Sequence, residues 1–279
     1  MTGRRLDAEL VTRGLCRSRA QARELVDEGA VLVDGRAATK AAQPVDDDAV
    51  IELTRPPDAW VGRAALKLLR ALETWGPGGT RRGLSEPALD PRGLRCLDVG
   101  ASTGGFTQVL LARGASHVTA LDVGHGQLVR SLAEDERVRD LPGTNIRDVG
   151  PADLGGVFDL VVADLSFISL TLVLSTLRSL VTDDGDLVVL VKPQFEVGRE
   201  RLGRRGVVTS PHEHRRVLRE VRDSAATAGL RLAGVAPSPI RGSDGNREFL
   251  FWLTPRRAPD GSEPGQDDML DSFDPEGET

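Results

Sequence analysis

The sequence predicts an α/β protein: a largely parallel sheet covered by helices on both faces, preceded by a small α+β domain. Three observations point there. From Gly93 onward, apolar runs of strand length alternate with helical stretches, the pattern that builds a parallel sheet buried on both sides. One of those runs leads directly into a small-residue loop and a helix, CLDVGASTGGF. Residues 4–53 form a separate compact pattern, joined to the rest by TRPPDAW (54–60), a linker stiffened by two prolines.

In the first 53 residues, Leu6, Leu10 and Val11 have helical spacing, and Ser18 caps a second helix through Ala22, Leu25 and Val26. Two strands follow, AVLVDG and AVIEL, with Asp34-Gly35 as the turn after the first. A helix over Arg63 to Trp75 opens the larger domain, expected to span 61–257. Its strands are LRCLDVG, HVTALDVG, FDLVVADL, DLVVLVK, LRLAGVAPS and REFLFWL, with helices over 104–113, 168–180 and 211–228. Residues 258–279 hold eight acids and no base among Gly and Pro, a composition that predicts a disordered tail.

Composition narrows the function. The formal charge is −6, but without the tail 36 bases face 34 acids, so local basic patches can still bind an anionic polymer. Arg4, Arg5, Arg17, Arg19 and Arg23 form one such cluster, with Ser18 and Lys40 nearby. Cys16 and Cys96 are isolated, which supports neither a disulfide framework nor a zinc site and makes a reducing cytoplasm the expected location. The N-terminus lacks an apolar core for a signal peptide, and the most apolar window, Val157 to Leu180, is interrupted by Asp159, Asp164 and Arg178. Only three of the 36 basic residues are lysines: Lys40, Lys67 and Lys192. A lysine can lose its proton when buried and a guanidinium cannot, so these positions are candidates for chemistry.

In CLDVGASTGGF, Gly100, Gly104 and Gly105 permit close backbone approach, and the helix start offers free amides. The loop is neither the GxGxxG of dinucleotide binders nor a P-loop. Asp98, two residues before Gly100, suits a cationic ligand, and Asp122 at the end of the next strand suits ribose hydroxyls. Together these resemble the S-adenosylmethionine site of Rossmann-like methyltransferases. That likeness implies cofactor contacts from Asp98, Gly100, Ala101, Ser102, Thr103, Gly104, Phe106 and Asp122, with Asn145 or Asp148 at the adenine.

Asp164 and Lys192 end two strands that open on the same sheet edge as that loop; Lys67 lies on the preceding helix, and Glu248 begins the last strand. Singly, Lys67 reads as a solvated charge and Asp164 as a helix cap. Jointly they match the Lys-Asp-Lys-Glu tetrad of FtsJ-like ribose 2′-O-methyltransferases. A ribose hydroxyl must lose its proton as it attacks a sulfonium methyl, and an amine held among acids can take it. The resemblance implies Lys192 as general base, Asp164 and Glu248 orienting it, and Lys67 positioning the hydroxyl.

RLDxxLxxxGxxxSRxxAxxLVxxGxVxVDG, followed by Lys40, resembles the S4-like RNA-binding domain. Over residues 4–255 the chain resembles the TlyA family, also called haemolysin A, on VGRAALKL, CLDVGASTGGFTQVLL, DLVVADLSFISL, VKPQFEVG and SDGNREFLFWL. Gly62 and Ala65 depart from the residues common before the helix lysine. The resemblance implies methylation of cytidine ribose in small- or large-subunit ribosomal RNA, with S-adenosylmethionine as cofactor, no metal, a cytoplasmic monomer and sensitivity to capreomycin. RNA contacts are expected from Arg4, Arg5, Arg17, Ser18, Arg19 and Lys40. The alternatives are a membrane-active haemolysin and a non-catalytic ribosome-binding factor.

Overall fold

The computed structural model describes residues 3–16, 18–27, 29–54, 60–79, 88–203, 206–242, 244–256, 269–270 and 272–277. Two compact units divide the chain at Gly62/Arg63, close to the expected linker, whose residues 55–59 lie outside the described residues.

In the first unit, strand β1 (Arg4–Arg5) leads into helices α1 (Leu6–Thr12) and α2 (Arg19–Asp27). Strands β2 (Val31–Val33), β3 (Arg36–Ala37), β4 (Pro44–Val45) and β5 (Ile51–Leu53) follow. The expected strands are β2 and β5, which pair antiparallel, and Asp34-Gly35 closes the hairpin from β2 to β3. Leu6 and Leu10 of α1 meet Ala22, Leu25 and Val26 of α2 over Val31 and Val45, so helical spacing on two faces and alternation on one strand bury one small core. Ser18 caps α2 as expected, its hydroxyl accepting the Gln21 amide at 3.2 Å.

The second unit runs α3 (Ala65–Trp75), β6 (Arg95–Val99), α4 (Gly105–Ala112), β7 (His117–Asp122), α5 (Arg130–Ala133), β8 (Val138–Pro142), α6 (Pro151–Leu154) and β9 (Phe158–Ala163). It continues through α7 (Leu174–Leu180), β10 (Val181–Val191), α8 (Pro193–Glu196), α9 (Pro211–Thr227), β11 (Arg231–Pro237) and β12 (Phe249–Thr254). One seven-stranded sheet has the order β11-β12-β10-β9-β6-β7-β8. Only β12 runs antiparallel to its neighbours, β10 and β11; the other pairings are parallel. Strand interiors such as Leu160 to Ala163 and Leu187 to Val191 are buried without alternation, because helices cover both faces.

Three features depart from expectation. Strand β8 was not foreseen: VRDLP is a half-exposed edge strand pairing only with β7, so nothing demands an apolar face. The helix expected over 168–180 is a 3₁₀ turn at Leu170–Leu172 followed by α7. The described part of the tail is not disordered. Met269, Leu270 and Phe273 pack on the main core, Phe273 meets Phe249 edge-on at 6.0 Å, and Glu276 accepts from the buried His214 Nδ1 at 2.8 Å. Average composition concealed three apolar side chains spaced to share one face.

Because Phe273 is only 9% exposed, Phe273→Ala is expected to lower the unfolding free energy by about 3 kcal/mol in urea titrations. A change within error would show that the tail does not hold this position.

Candidate active site

The site follows from strand direction. The parallel strands β6, β9 and β10 end on one sheet edge, with Val99 beside Ala163. Strand β12 runs the opposite way, so its first residue, Phe249, pairs with Val191, the last of β10. Glu248 therefore arrives at the edge where Asp164 and Lys192 leave it. Pro193 forces an extended conformation on Lys192 (φ −114°, ψ 98°) and opens α8, so the Lys-Pro step ends the strand at the site. From α3, whose Leu68, Ala71, Leu72 and Trp75 are buried, Lys67 is also drawn inside.

The four side chains meet. Lys67 Nζ lies 3.1 Å from Asp164 Oδ2 and 2.7 Å from Glu248 Oε2, and Lys192 Nζ lies 2.7 Å from Asp164 Oδ1. Lys192 also donates to Ser166 Oγ at 2.8 Å. Neither Asp164 Oδ1 nor Glu248 Oε2 receives an aligned hydrogen bond, so these two 2.7 Å contacts are charge pairs. Burial alone would lower the Lys67 pKa, but Asp164 and Glu248 outweigh it and hold the ammonium above its usual range. Burial likewise pushes Asp164 up, and Lys192 and Lys67 overcome it, leaving the carboxyl below its usual range. Glu248 orients Lys67 and not Lys192, contrary to expectation. The reason is electrostatic: a cation between Asp164 and Glu248 relieves two adjacent buried carboxylates. Asp164 caps no helix; the following 3₁₀ turn is capped by Ser169, which accepts the Thr171 amide.

Two cavities flank the tetrad. One, of about 500 Å³, is lined by Lys67, Lys192, Glu248, Gln194, Phe195 and Arg63, among others. The other, of about 520 Å³, is lined by Gly100, Ser102, Asp122, Asn145, Asp164 and Ile168, among others. Both are sized for a small ligand or one nucleotide. Ser166 and Phe167 line both and so mark where they adjoin. Phe167 was not singled out from sequence. Its ring is 91% exposed, tilts against Phe195 at 5.2 Å and sits on a left-handed backbone (φ 65°). An exposed aromatic in an otherwise ordinary loop carries little signal before the strand ends are assembled.

In the second cavity the expected residues divide. Gly100, Ser102, Asp122 and Asn145 line it, whereas Asp148 does not, and Phe106 is buried in the core. Ala101, Thr103 and Gly104 build the turn. Gly100 (φ 83°) and Gly104 (φ 98°) are required there: a Cβ would meet the Asp164 carbonyl oxygen at 2.8 Å and would clash with the Leu132 side chain, respectively. The Asp122 carboxylate accepts the Ser102 and Gly124 amides at 2.8 and 2.7 Å, tying the two loops together. Asp98 is fully buried; Thr107 donates to its Oδ2 at 2.7 Å, and its Oδ1 has no partner among the described residues. Burial pushes the Asp98 pKa up to about 7, against the Thr107 hydrogen bonds.

Residues 60–254 match the FtsJ-like methyltransferases. The chain belongs to that family. Residues 4–51 of the methyltransferase match the S4 domain. The 16S/23S rRNA (cytidine-2′-O)-methyltransferase TlyA of Mycobacterium tuberculosis is 50% identical, over 89% of each chain. Hemolysin A of Brachyspira hyodysenteriae is 32% identical over 88% of this chain and 98% of its own. A solved structure from Streptococcus thermophilus that carries the hemolysin name is 35% identical, with a TM-score of 0.71, over 97% of this chain and 95% of its own.

The methyltransferase's S4 unit presents most of the expected RNA contacts on its surface. Arg4, Arg5, Arg19 and Lys40 are exposed, while Arg17 lies outside the described residues. Ser18 is occupied as the α2 cap. No described helix is long and apolar enough to cross a membrane, and no described group of three or more His, Cys, Asp or Glu could hold a metal ion.

Lys67 is the cation that Asp164 and Glu248 share. Lys67→Met strands buried Glu248 without a cation and is expected to cost about 3 kcal/mol in denaturant unfolding. Adding Glu248→Gln should recover part of that loss. Strict additivity of the two substitutions would contradict the shared charge.

Proposed function

We propose that the protein transfers a methyl group from S-adenosylmethionine to the 2′-hydroxyl of cytidine in ribosomal RNA, in the cytoplasm where ribosomes are found. The observation that carries this reading is the meeting of two cavities at Ser166 and Phe167, with the Lys67 and Lys192 amines in the wall of one of them. A methyl donor on the glycine-loop side and a nucleotide on the tetrad side would present their reacting atoms across that boundary. The relatives that match nearly the full length, TlyA of Mycobacterium tuberculosis among them, support rRNA as the acceptor. The hemolysin name occurs among relatives of the same two-domain length, so it brings no second reading.

The cofactor fits the residues present. Asp98 Oδ1 is a buried acceptor without a donor, which an α-ammonium would satisfy, and the Gly100 cradle admits no Cβ. Asp98, Gly100, Ser102, Asp122 and Asn145 would hold it. When bound, S-adenosylmethionine supplies an electrophilic methyl on a sulfonium. The chain's own residues do the rest. Lys67, pinned as an ammonium by Asp164 and Glu248, fixes the wall of the acceptor cavity and can hold the ribose oxygen. Lys192, with one carboxylate and the Ser166 hydroxyl as partners, is the amine left to take the 2′-hydroxyl proton as the oxygen attacks. Asp164 then balances the new charge. The exposed ring of Phe167 offers a stacking face for a base, a contact open to any base. Enclosing both reactants in one geometry supplies much of the acceleration.

Lys192→Arg puts in place of the amine a guanidinium, which cannot accept a proton near neutral pH. It should retain RNA and cofactor binding while methyl transfer falls at least about 100-fold in single-turnover assays. Transfer near the wild-type rate would remove Lys192 as the base. Cofactor binding should also depend on pH. A bound ammonium requires the ionised form of Asp98, whose pKa burial raises to about 7. Below that value, affinity measured by calorimetry is expected to fall by up to about tenfold per pH unit, with proton release. Asp98→Asn should bind more weakly with a flat profile; a flat wild-type profile would count against the contact.

A further inference from the structure

The acidic C-terminal segment reaches the wall of the catalytic site. Another cavity, of about 360 Å³, lies beside the acceptor cavity and shares Glu248 with it. Arg241 and Arg247 line this cavity, and the turn between them carries Gly242 and Asp244 into the acceptor cavity. The turn is braced from within and below. Gly242 donates to the Asn246 carbonyl at 2.9 Å and Arg241 to the Gly245 carbonyl at 3.1 Å. The buried Asn246 side chain bonds Gly206 and Val208, each at 2.9 Å.

The opposite wall is the tail itself, at Pro275 and Gly277. Leu270 and Phe273 anchor it in the core, and the Asp274 carboxylate accepts the Glu276 amide at 3.0 Å, fixing the turn that presents Glu276. One Glu276 oxygen takes the buried His214 Nδ1; the other lies 3.5 Å from Arg247 Nε, and Arg247 also donates to the Pro275 carbonyl at 3.2 Å. Leu270 and Phe273 suffice to seat the segment. Glu276 adds an acid where two guanidiniums border a nucleotide-sized space. The ion pair stays within reach of solvent, with Arg247 26% and Glu276 34% exposed, and so within reach of a competing anion.

We infer that the tail is an autoinhibitory strap: Glu276 takes up Arg247, which together with Arg241 would otherwise hold the phosphodiester next to the target nucleotide. The inference rests on the rRNA reading above. A planar guanidinium fork matches phosphate oxygens as it matches a carboxylate, so the two anions compete for one partner. The carboxylate is tethered and has the advantage of a high effective concentration. Only RNA that also engages the protein elsewhere displaces it, which disfavours chance RNA more than the true substrate.

Glu276→Gln removes the charge from Arg247 yet keeps an amide oxygen for His214. Both Glu276 and Arg247 are partly exposed and outside the apolar core, so variants at either are expected to fold. The strap predicts that full-length Glu276→Gln binds ribosomal RNA about two- to fivefold more tightly, the modest gain expected from a part-exposed ion pair. The slope of log affinity against log salt should steepen by about 0.7 to 0.9, one further phosphate contact. A purely structural tail predicts equal or weaker binding. Bulk charge also predicts tighter binding, and the double variant separates the two: Glu276→Gln with Arg247→Gln should bind no more tightly than Arg247→Gln alone. Wild-type protein that neither binds nor methylates ribosomal RNA overturns the rRNA reading and the strap with it. Wild-type protein that binds and methylates, with Glu276→Gln equal or weaker or with its gain intact in the double variant, overturns the strap only.

Discussion

A single buried ammonium, Lys67, stands between two carboxylates that could not otherwise share one pocket. Asp164 comes from the end of a parallel strand and Glu248 from the start of an antiparallel one, and Lys67 Nζ reaches both, at 3.1 and 2.7 Å. Desolvating two acids this close would drive one of them to take up a proton. Lys67 and Lys192 together hold Asp164 below its usual range, and Asp164 keeps its second oxygen for Lys192 at 2.7 Å. The strand order supports the same arrangement. Only because β12 is inserted antiparallel beside β10 does Glu248 reach the carboxyl edge at all.

The two lysines thereby acquire different duties from similar surroundings. Lys67 is fixed by two opposite charges and cannot easily give up its proton. Lys192 has one carboxylate and one hydroxyl, and it stands at the boundary of the two cavities through its contact with Ser166. Asp98 shows the complementary strategy on the cofactor side. A carboxyl held fully buried, with one oxygen unpartnered among the described residues and a pKa of about 7, is costly to ionise, and a cationic ligand relieves it. In both places the fold stores an electrostatic demand that binding or chemistry answers.

Much of this was legible in the sequence because strand ends announce themselves. Asp98, Asp164 and Lys192 each follow a run of apolar residues, and a parallel sheet sends such ends to one edge. The scarcity of lysine singled out Lys67 and Lys192 before any geometry was known. What stayed hidden depends on side-chain direction and not on order along the chain. Nothing in the chain states that Glu248 turns to Lys67 instead of Lys192, or that Phe106 faces the core while Phe167 stands in solvent. Strand β8 was invisible because an edge strand needs no apolar face. The tail misled through its average composition, since Leu270 and Phe273 find a core that eight acids seemed to forbid.

The central claim is that the paired cavities bring a methyl donor to a ribose hydroxyl of cytidine. Its most direct test is to incubate the purified protein with ribosomal subunits and S-adenosylmethionine labelled in the methyl group, then digest the RNA to nucleosides and assign the label by mass spectrometry. The account predicts label in 2′-O-methylcytidine, absent when Lys192→Arg protein is used. Label on a base, on another nucleoside, or nowhere in the RNA would contradict it.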